Sequence, residues 1–546
     1  MIVLDSHSLF IIEQVYERDH KMKKYLLPGA LLLGIVWDIL FWKRIPGVSF
    51  PIFVIMCLTV GCLLLRTGKI PLSNRSYVLI ASTILFSVLT IIRKDFLSSI
   101  LSYALSLLFL FILTVTYSSG LWISYNVFDY ITKFIHLLGK TFSLPWKLLN
   151  STNGSRGEER FKIHKSMLRQ IVRGLLLSLP ILTIFNFLLT SADLVFAQRL
   201  QDFFIYFNIE EIGEYVVRGI LIFIIAYTYI GIIMFAAEHS QKEYLNGIDQ
   251  PVINPFLSFT EVSIILGSVI ILFSSFVMIQ FRYFFSGQLN IDVYDFTYAE
   301  YARRGFGELV AVAVFSMALI QGLGVILKLE STKQRKFFTG LMIVLVLLVL
   351  VILVSSFQRL SLYESAYGFS RLRTYSHVFI IWLGLLLVGR IILEIAGEQR
   401  PFTNLALLAL IGYVLFLSLL NVDSFIVHRN INRAETGAEL DTSYLASLTY
   451  DAVPALVKEF ISPIHSPQIK EDIGAVLKCY GVRIGNETRQ GTSWQSFHFS
   501  DWTAQRNLQI VQEKLKNFHV LEELGSFQVT SPGGKVFQCH EDPIRN

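Results

Sequence analysis

Arginine, glutamate and tyrosine recur together in four short segments of this chain, and together they could hold an anion or a sugar. Residues 206–215 carry Glu210, Glu211 and Glu214, with Arg218 one helical turn further on. Residues 280–284 hold Arg282, and residues 296–306 hold Tyr298, Glu300, Tyr301, Arg303 and Arg304, with Glu308 just after. The fourth segment starts at Phe357 and brings Arg359, Tyr363, Glu364, Arg371 and Arg373. Guanidinium groups clamp phosphate or carboxylate through paired hydrogen bonds. Tyrosine offers a ring for stacking and a hydroxyl for hydrogen bonding. If these segments did catalysis, Glu210, Glu211 or Glu300 would be the base. The same residue types also build the interfacial belts and snorkelling charges of ordinary membrane helices. Helical spacing predicts three intrahelical sets: Glu214 with Arg218, Glu300 with Arg304 and Glu308, and Arg390 with Glu394.

The elements that must position these residues are apolar. Of 546 residues, 53% are hydrophobic, 14% aromatic and only 16% charged, against roughly 25% charged in a soluble domain. The mean hydropathy is +0.56. A soluble enzyme, a disordered chain and a nucleic-acid binder are excluded, and an all-α polytopic transmembrane bundle is indicated. Eleven stretches approach the roughly 20 apolar residues that cross a bilayer: 25–41, 48–65, 77–92, 97–117, 174–196, 215–237, 262–285, 306–327, 337–357, 378–395 and 402–420. They divide the chain into a polar N-terminus (1–24), a four-span part (25–125), a basic connector (126–173), a seven-span core (174–420) and a tail (421–546).

Lysine and arginine are denser in alternate loops, above all between 126 and 173. That bias places the N-terminus inside, with no cleavable leader, and the tail outside. In 126–149, Phe128, Ile131, Ile135 and Leu138 share a face, while Lys133, Lys140 and Lys147 recur on another. Such a helix can lie in the headgroup layer and attract anionic lipid, or simply fix orientation.

The tail reads as a small soluble α+β domain and a surface for a protein partner. Asp441 is expected to cap a helix to 459, with a second helix at 469–479, and Ser500 or Asp501 to cap a third helix to 517. Strands at 527–530 and 535–538 form a hairpin. Cys479 and Cys539 would bridge only in an oxidising compartment, whereas Cys57 and Cys62 read as packing residues. No motif for a metal or cofactor appears, and no histidine falls within a span. No catalytic constellation stands out. The function classes are therefore a transporter or flippase with an outward-facing Arg/Glu/Tyr vestibule for a polar or anionic solute or lipid, a non-enzymatic sensor or assembly factor, and, third, an enzyme on lipid-linked substrates.

The segment 296–309 (Phe-Thr-Tyr-Ala-Glu-Tyr-Ala-Arg-Arg-Gly-Phe-Gly-Glu-Leu) resembles a bacterial family of polytopic membrane proteins known as a domain of unknown function of the 4173 or 4153 type. Asn254-Pro255-Phe256, Gln280-Phe281-Arg282-Tyr283, Phe357-Gln358-Arg359-Leu360 and Asp451-Ala452-Val453-Pro454-Ala455-Leu456 extend the resemblance over about 175–456. It implies a bacterial plasma-membrane protein and supplies no reaction, cofactor or site residue.

Overall fold

The computed structural model describes residues 6–151, 209–240, 254–285, 306–396, 402–489, 493–523 and 526–539, with isolated positions between 178 and 199 and Gly491. Among the described residues nine helices are long and apolar enough to cross a membrane, and Ser76–Ile92 is a shorter apolar helix. These account for ten of the eleven expected spans. The remaining one, 174–196, lies largely outside the described residues. The protein is a multi-pass membrane helix bundle with a small α+β domain at its C-terminal end.

The chain divides into two compact units. The first comprises Met1–Arg44, Ile55–Leu72 and Lys133–Lys242. It contains α1 (Ser6–Phe41), most of α2 (Ser49–Thr67), most of α5 (Val127–Ser151) and α6 (Ile209–His239). Helices α1 and α6 pack closely because Gly34 presents no side chain. A Cβ there would stand 2.5 Å from the Ile222 carbonyl oxygen. The Tyr229 hydroxyl donates to the Cys57 carbonyl at 2.8 Å, which ties α6 to α2.

The second unit holds α3 (Ser76–Ile92), α4 (Phe96–Thr116), α7 (Phe259–Phe285), α8 (Phe306–Ile326), α9 (Thr332–Tyr367), α10 (Arg371–Ile395) and α11 (Phe402–Leu420). Its core lies along α9, where Met342, Leu345, Val346 and Val349 are fully buried against Leu266 and Leu387. Large apolar side chains such as Ile271 and Phe315 face outward, as a lipid-solvated surface requires. Helices α3 and α4 meet along small hydroxyl residues, with Thr83, Ser87, Ser102 and Ser106 buried. Three of these hydroxyls turn back to their own helix, as Ser102 does to Ser98. Ser106 crosses to the Thr83 carbonyl at 3.2 Å. Small residues allow such close approach where no hydrophobic force drives helices together.

Helix α9 corrects the expectation of a loop after residue 357. No proline interrupts it, so it continues to Tyr367 and stops at Gly368, whose φ of 81° favours glycine. Arg359, Tyr363 and Glu364 are therefore helical. Helix α10 starts at Arg371, earlier than 378, and so takes in His377, contrary to the expectation that spans lack histidine.

The tail begins where Asn421, at φ 50°, breaks α11 from α12 (Val422–Glu435). Then come α13 (Thr442–Ala446), α14 (Val453–Ile461), α15 (Pro467–Arg489), α16 (Phe499–Val511) and strands β1 (His519–Glu523), β2 (Ser526–Thr530) and β3 (Val536–Gln538). The strands form one antiparallel sheet in the order β1-β2-β3. Asp441 caps as expected, accepting from the Tyr444 amide at 2.8 Å. The helix it opens ends at Ala446 rather than 459, and a new one starts with Pro454 in its first turn. Neither Ser500 nor Asp501 caps α16, which begins after His498. Strand β1 and helix α12 were not anticipated.

A disulfide joins Cys479 of α15 to Cys539 after β3, with Cα atoms 5.3 Å apart. It closes a loop of 60 residues, which constrains the unfolded tail strongly. Replacing both cysteines by serine is expected to destabilise the tail by about 2–4 kcal/mol. Reduced and oxidised protein compared by chemical unfolding, with tail tryptophan fluorescence as readout, checks this. Coincident curves would refute it.

Candidate functional site

The sequence-selected residues fall into separate places. In the first unit, Arg218 and Glu214 do not pair with each other as their spacing suggested. Arg218 reaches Asp38 of α1 through Nε at 3.0 Å and through Nη2 at 2.5 Å. Glu214 accepts from Trp42 at 2.6 Å and from Lys43 at 2.5 Å. The reason is burial. Asp38 is only 5% exposed, so its carboxylate needs a cation with paired donors, and Arg218 lies opposite it. Glu210 and Glu211 open the same helix, and Arg282 lies in the last turn of α7; their side chains are outside the described residues, as are Tyr298, Glu300, Tyr301, Arg303 and Arg304 entirely. Glu308 is exposed at the start of α8.

The fourth segment lies in the second unit, and the tail claims much of it. The Arg373 guanidinium lies 4.0 Å from the centre of the Tyr363 ring and bonds the Gly368 carbonyl. Glu364 is buried and faces His377 of α10 at 3.1 Å. Arg359 is half-buried on α9. Arg390 and Glu394 form the expected pair at 2.9 Å, and Thr339 donates to Glu394 from α9.

Arg371 leads to a dense polar cluster. Its Nε donates to Asp423 of α12 at 2.6 Å, and its Nη2 completes a two-pronged clamp. Asp423 also accepts from the Thr449 amide at 2.9 Å and the Thr449 hydroxyl at 2.6 Å. Asp451 sits beside it. It accepts from the Lys94 amide at 2.9 Å and faces Arg93 at 3.4 Å. Asp95, the N-cap of α4, accepts from the Ser98 amide at 3.0 Å and the Tyr375 hydroxyl at 2.8 Å. Lys94 reaches Asp501 at 3.1 Å with its ammonium over the Tyr450 ring. Arg93 Nε donates to the Ser418 carbonyl at 2.8 Å.

Three of these carboxylates are almost completely buried: Asp423 is 1% exposed, Asp95 2% and Asp451 4%. Four carboxylates (Asp95, Asp423, Asp451 and Asp501) meet three cations (Arg93, Lys94 and Arg371). Burial, with the neighbouring Asp423 charge, pushes Asp95 up from the ordinary carboxylate range. Burial pushes Asp451 up to about 6, aided by Asp423 and Asp95 against the Lys94 amide and Arg93. No group of three or more metal-ligating side chains occurs among the described residues. The cluster can hold and release a proton and can clamp the tail to the helix ends.

The acidic half of this cluster was missed in the sequence. The available signals were Asp95 at an N-cap before an apolar run, and Asp451 as the lone acid that opens Asp451-Ala452-Val453-Pro454-Ala455-Leu456.

Two outcomes follow. Arg371→Met alone strands a buried Asp423 and is expected to cost about 3–5 kcal/mol, with much of that recovered in Arg371→Met/Asp423→Leu. Thermal unfolding in nanodiscs reads the cycle, and equal losses in the single and double variants would refute the pairing. Asp451, with its folded value raised, adds stability below the ordinary 3.8 that is lost as pH rises through about 6. Asp451→Asn should flatten that decline. An unchanged pH profile would show that Asp451 does not titrate in this range.

A model of the family described as Domain of unknown function (DUF4153) matches residues 80–459, a span that includes Arg93, Asp95, Arg371, Asp423 and Asp451. No curated protein and no solved structure matches the chain. With the match covering more than half of its length, the chain belongs to the DUF4153 family, whose function is unknown.

Proposed function

We propose that this protein is a non-catalytic membrane receptor or assembly factor, in which the tail engages a partner and the helix bundle responds. The observation that carries this reading is the burial of Asp423 and Asp451, both tail residues, in ion pairs with Arg371 and Arg93 at the membrane helix ends. Buried charges couple their two sides energetically, because separating them exposes an unpaired charge to a poor solvent. Arg371, one of the arginines that a vestibule would offer to an anionic solute, is already occupied by Asp423. That pairing weighs against transport through this end of the bundle.

In this reading the tail faces the extracytoplasmic side of a bacterial plasma membrane. The Cys479–Cys539 disulfide supports that side, since such bonds persist in oxidising compartments. The N-terminus is then cytoplasmic, and helix α5 lies on the cytoplasmic surface against anionic lipid. Its exposed Phe128, Ile131, Ile135, Leu138 and Phe142 recur at helical spacing beside Lys133 and Lys140.

Hydrogen exchange on the full chain in nanodiscs tests the coupling. Asp423→Asn should speed amide exchange by about tenfold or more both in the tail and at the start of α4 and α10. Faster exchange confined to the tail would overturn the receptor reading. In proteoliposomes, fluorescent phospholipid should cross no faster than in protein-free vesicles, and rapid crossing would restore the flippase reading.

A further inference from the structure

The tail contains a cleft of about 710 Å³ between α15, α16 and the strands β1 and β2. That lies within the roughly 300–1,000 Å³ typical of small-molecule sites. We infer that this cleft binds a neutral carbohydrate, and that this is the ligand class of the receptor proposed above; the inference rests on that reading for its role, while binding itself is measured separately.

The floor of the cleft is bare helix. Gly481 and Gly485 both line it, and a Cβ added at either would meet nothing within 4 Å. Glycine inside a helix is destabilising relative to alanine, and here no described neighbour demands it. Gly474, earlier on α15, differs: a Cβ there would stand 2.4 Å from the Phe518 ring. Packing requires glycine at 474, whereas at 481 and 485 its effect is to keep the floor open for a flat ring.

The walls set the chemistry. Gln505, Gln509 and Gln512 run along one side and Asn486 closes another. Their side-chain amides make no hydrogen bond to another described residue. Each amide both donates and accepts, which matches hydroxyl groups that do the same. Val520 and Phe527 add apolar surface suited to the C–H face of a sugar ring. Among the described residues no carboxylate lines the cleft, and the one ammonium there, Lys478, donates to the Leu515 carbonyl at 3.2 Å. The described lining therefore suits a neutral ligand.

The test uses the full chain in nanodiscs with three neutral probes, chitotetraose, maltotetraose and cellotetraose, read by saturation-transfer NMR and calorimetry. At least one should bind. Gly481→Ala/Gly485→Ala should raise the unfolding temperature, by removing the helix cost, while weakening that probe by about tenfold. Gln509→Ala should weaken it without stabilising the protein. Absence of binding by all three probes at millimolar concentration, or binding unaffected by the glycine pair, would overturn the inference. Binding by an extended neutral peptide in place of every sugar would also overturn it. If a sugar binds but leaves exchange at the start of α4 and α10 unchanged, the cleft stands and the receptor coupling fails.

Discussion

A carboxylate removed from water must find a cation or several donors, and at the tail end of the second unit this requirement fixes where five chain segments lie. Asp423 takes Arg371 and Thr449; Asp451 takes Lys94 and faces Arg93; Asp95 takes Tyr375. The α3–α4 turn, the start of α10, the end of α11, the start of α12 and the loop before α14 are thereby held against one another. Apolar packing could bring the same segments near each other without setting their register. Paired guanidinium–carboxylate geometry does set it, since a shift of one helical turn would leave a buried charge alone. Asp38 and Arg218 apply the same rule in the first unit, where an interhelical partner displaces the one suggested by helical spacing.

What could be read in advance followed from how locally each feature is encoded. A span is a local property, so composition and run length located ten of the helices. The Asp441 cap and the strands near 527–538 are also local signals, and they appear where expected. The boundaries that moved depend on particular residues: α9 runs on past 357 until Gly368 stops it, and Pro454 opens a new helix within the one expected at 441–459. Strand β1 was missed because its partner is supplied by the later β2, and an edge strand with exposed Val520 and Leu521 carries little alternation.

The site was legible by half, and for a physical reason. Arg371 and Arg373 draw attention because charge is scarce in an apolar chain. Asp423 and Asp451 lie in the polar tail, where carboxylates are ordinary, so a buried one stands out only weakly, as Asp451 does before its apolar run. Burial is a tertiary property. It converts Asp451 from a common acid into one that holds its proton to about 6, and it pairs Arg371 with Asp423.

Helix α15 gives the two proposals a common physical basis. One side of it carries Gly481, Gly485 and Asn486, which line the cleft. Another carries Tyr480, fully buried, whose hydroxyl shares its one proton between the Leu445 and Leu448 carbonyls at 2.9 and 3.0 Å, and Arg483, which donates to the Ala446 carbonyl at 2.6 Å. That loop continues directly into Thr449, the residue that hydrogen-bonds Asp423. A ligand that shifted or stiffened α15 would act on residues 445–449 through the Tyr480 and Arg483 hydrogen bonds to their backbone, and Thr449 holds the carboxylate that clamps Arg371. Because the joint contains four carboxylates and three cations, Thr449 matters to its balance: its hydroxyl donates to Asp423 at 2.6 Å and lies 3.4 Å from Asp451. A chain of packed groups of this kind transmits a change only where one of its members has two arrangements; in the receptor proposed above, gain and loss of the Asp451 proton would be the two.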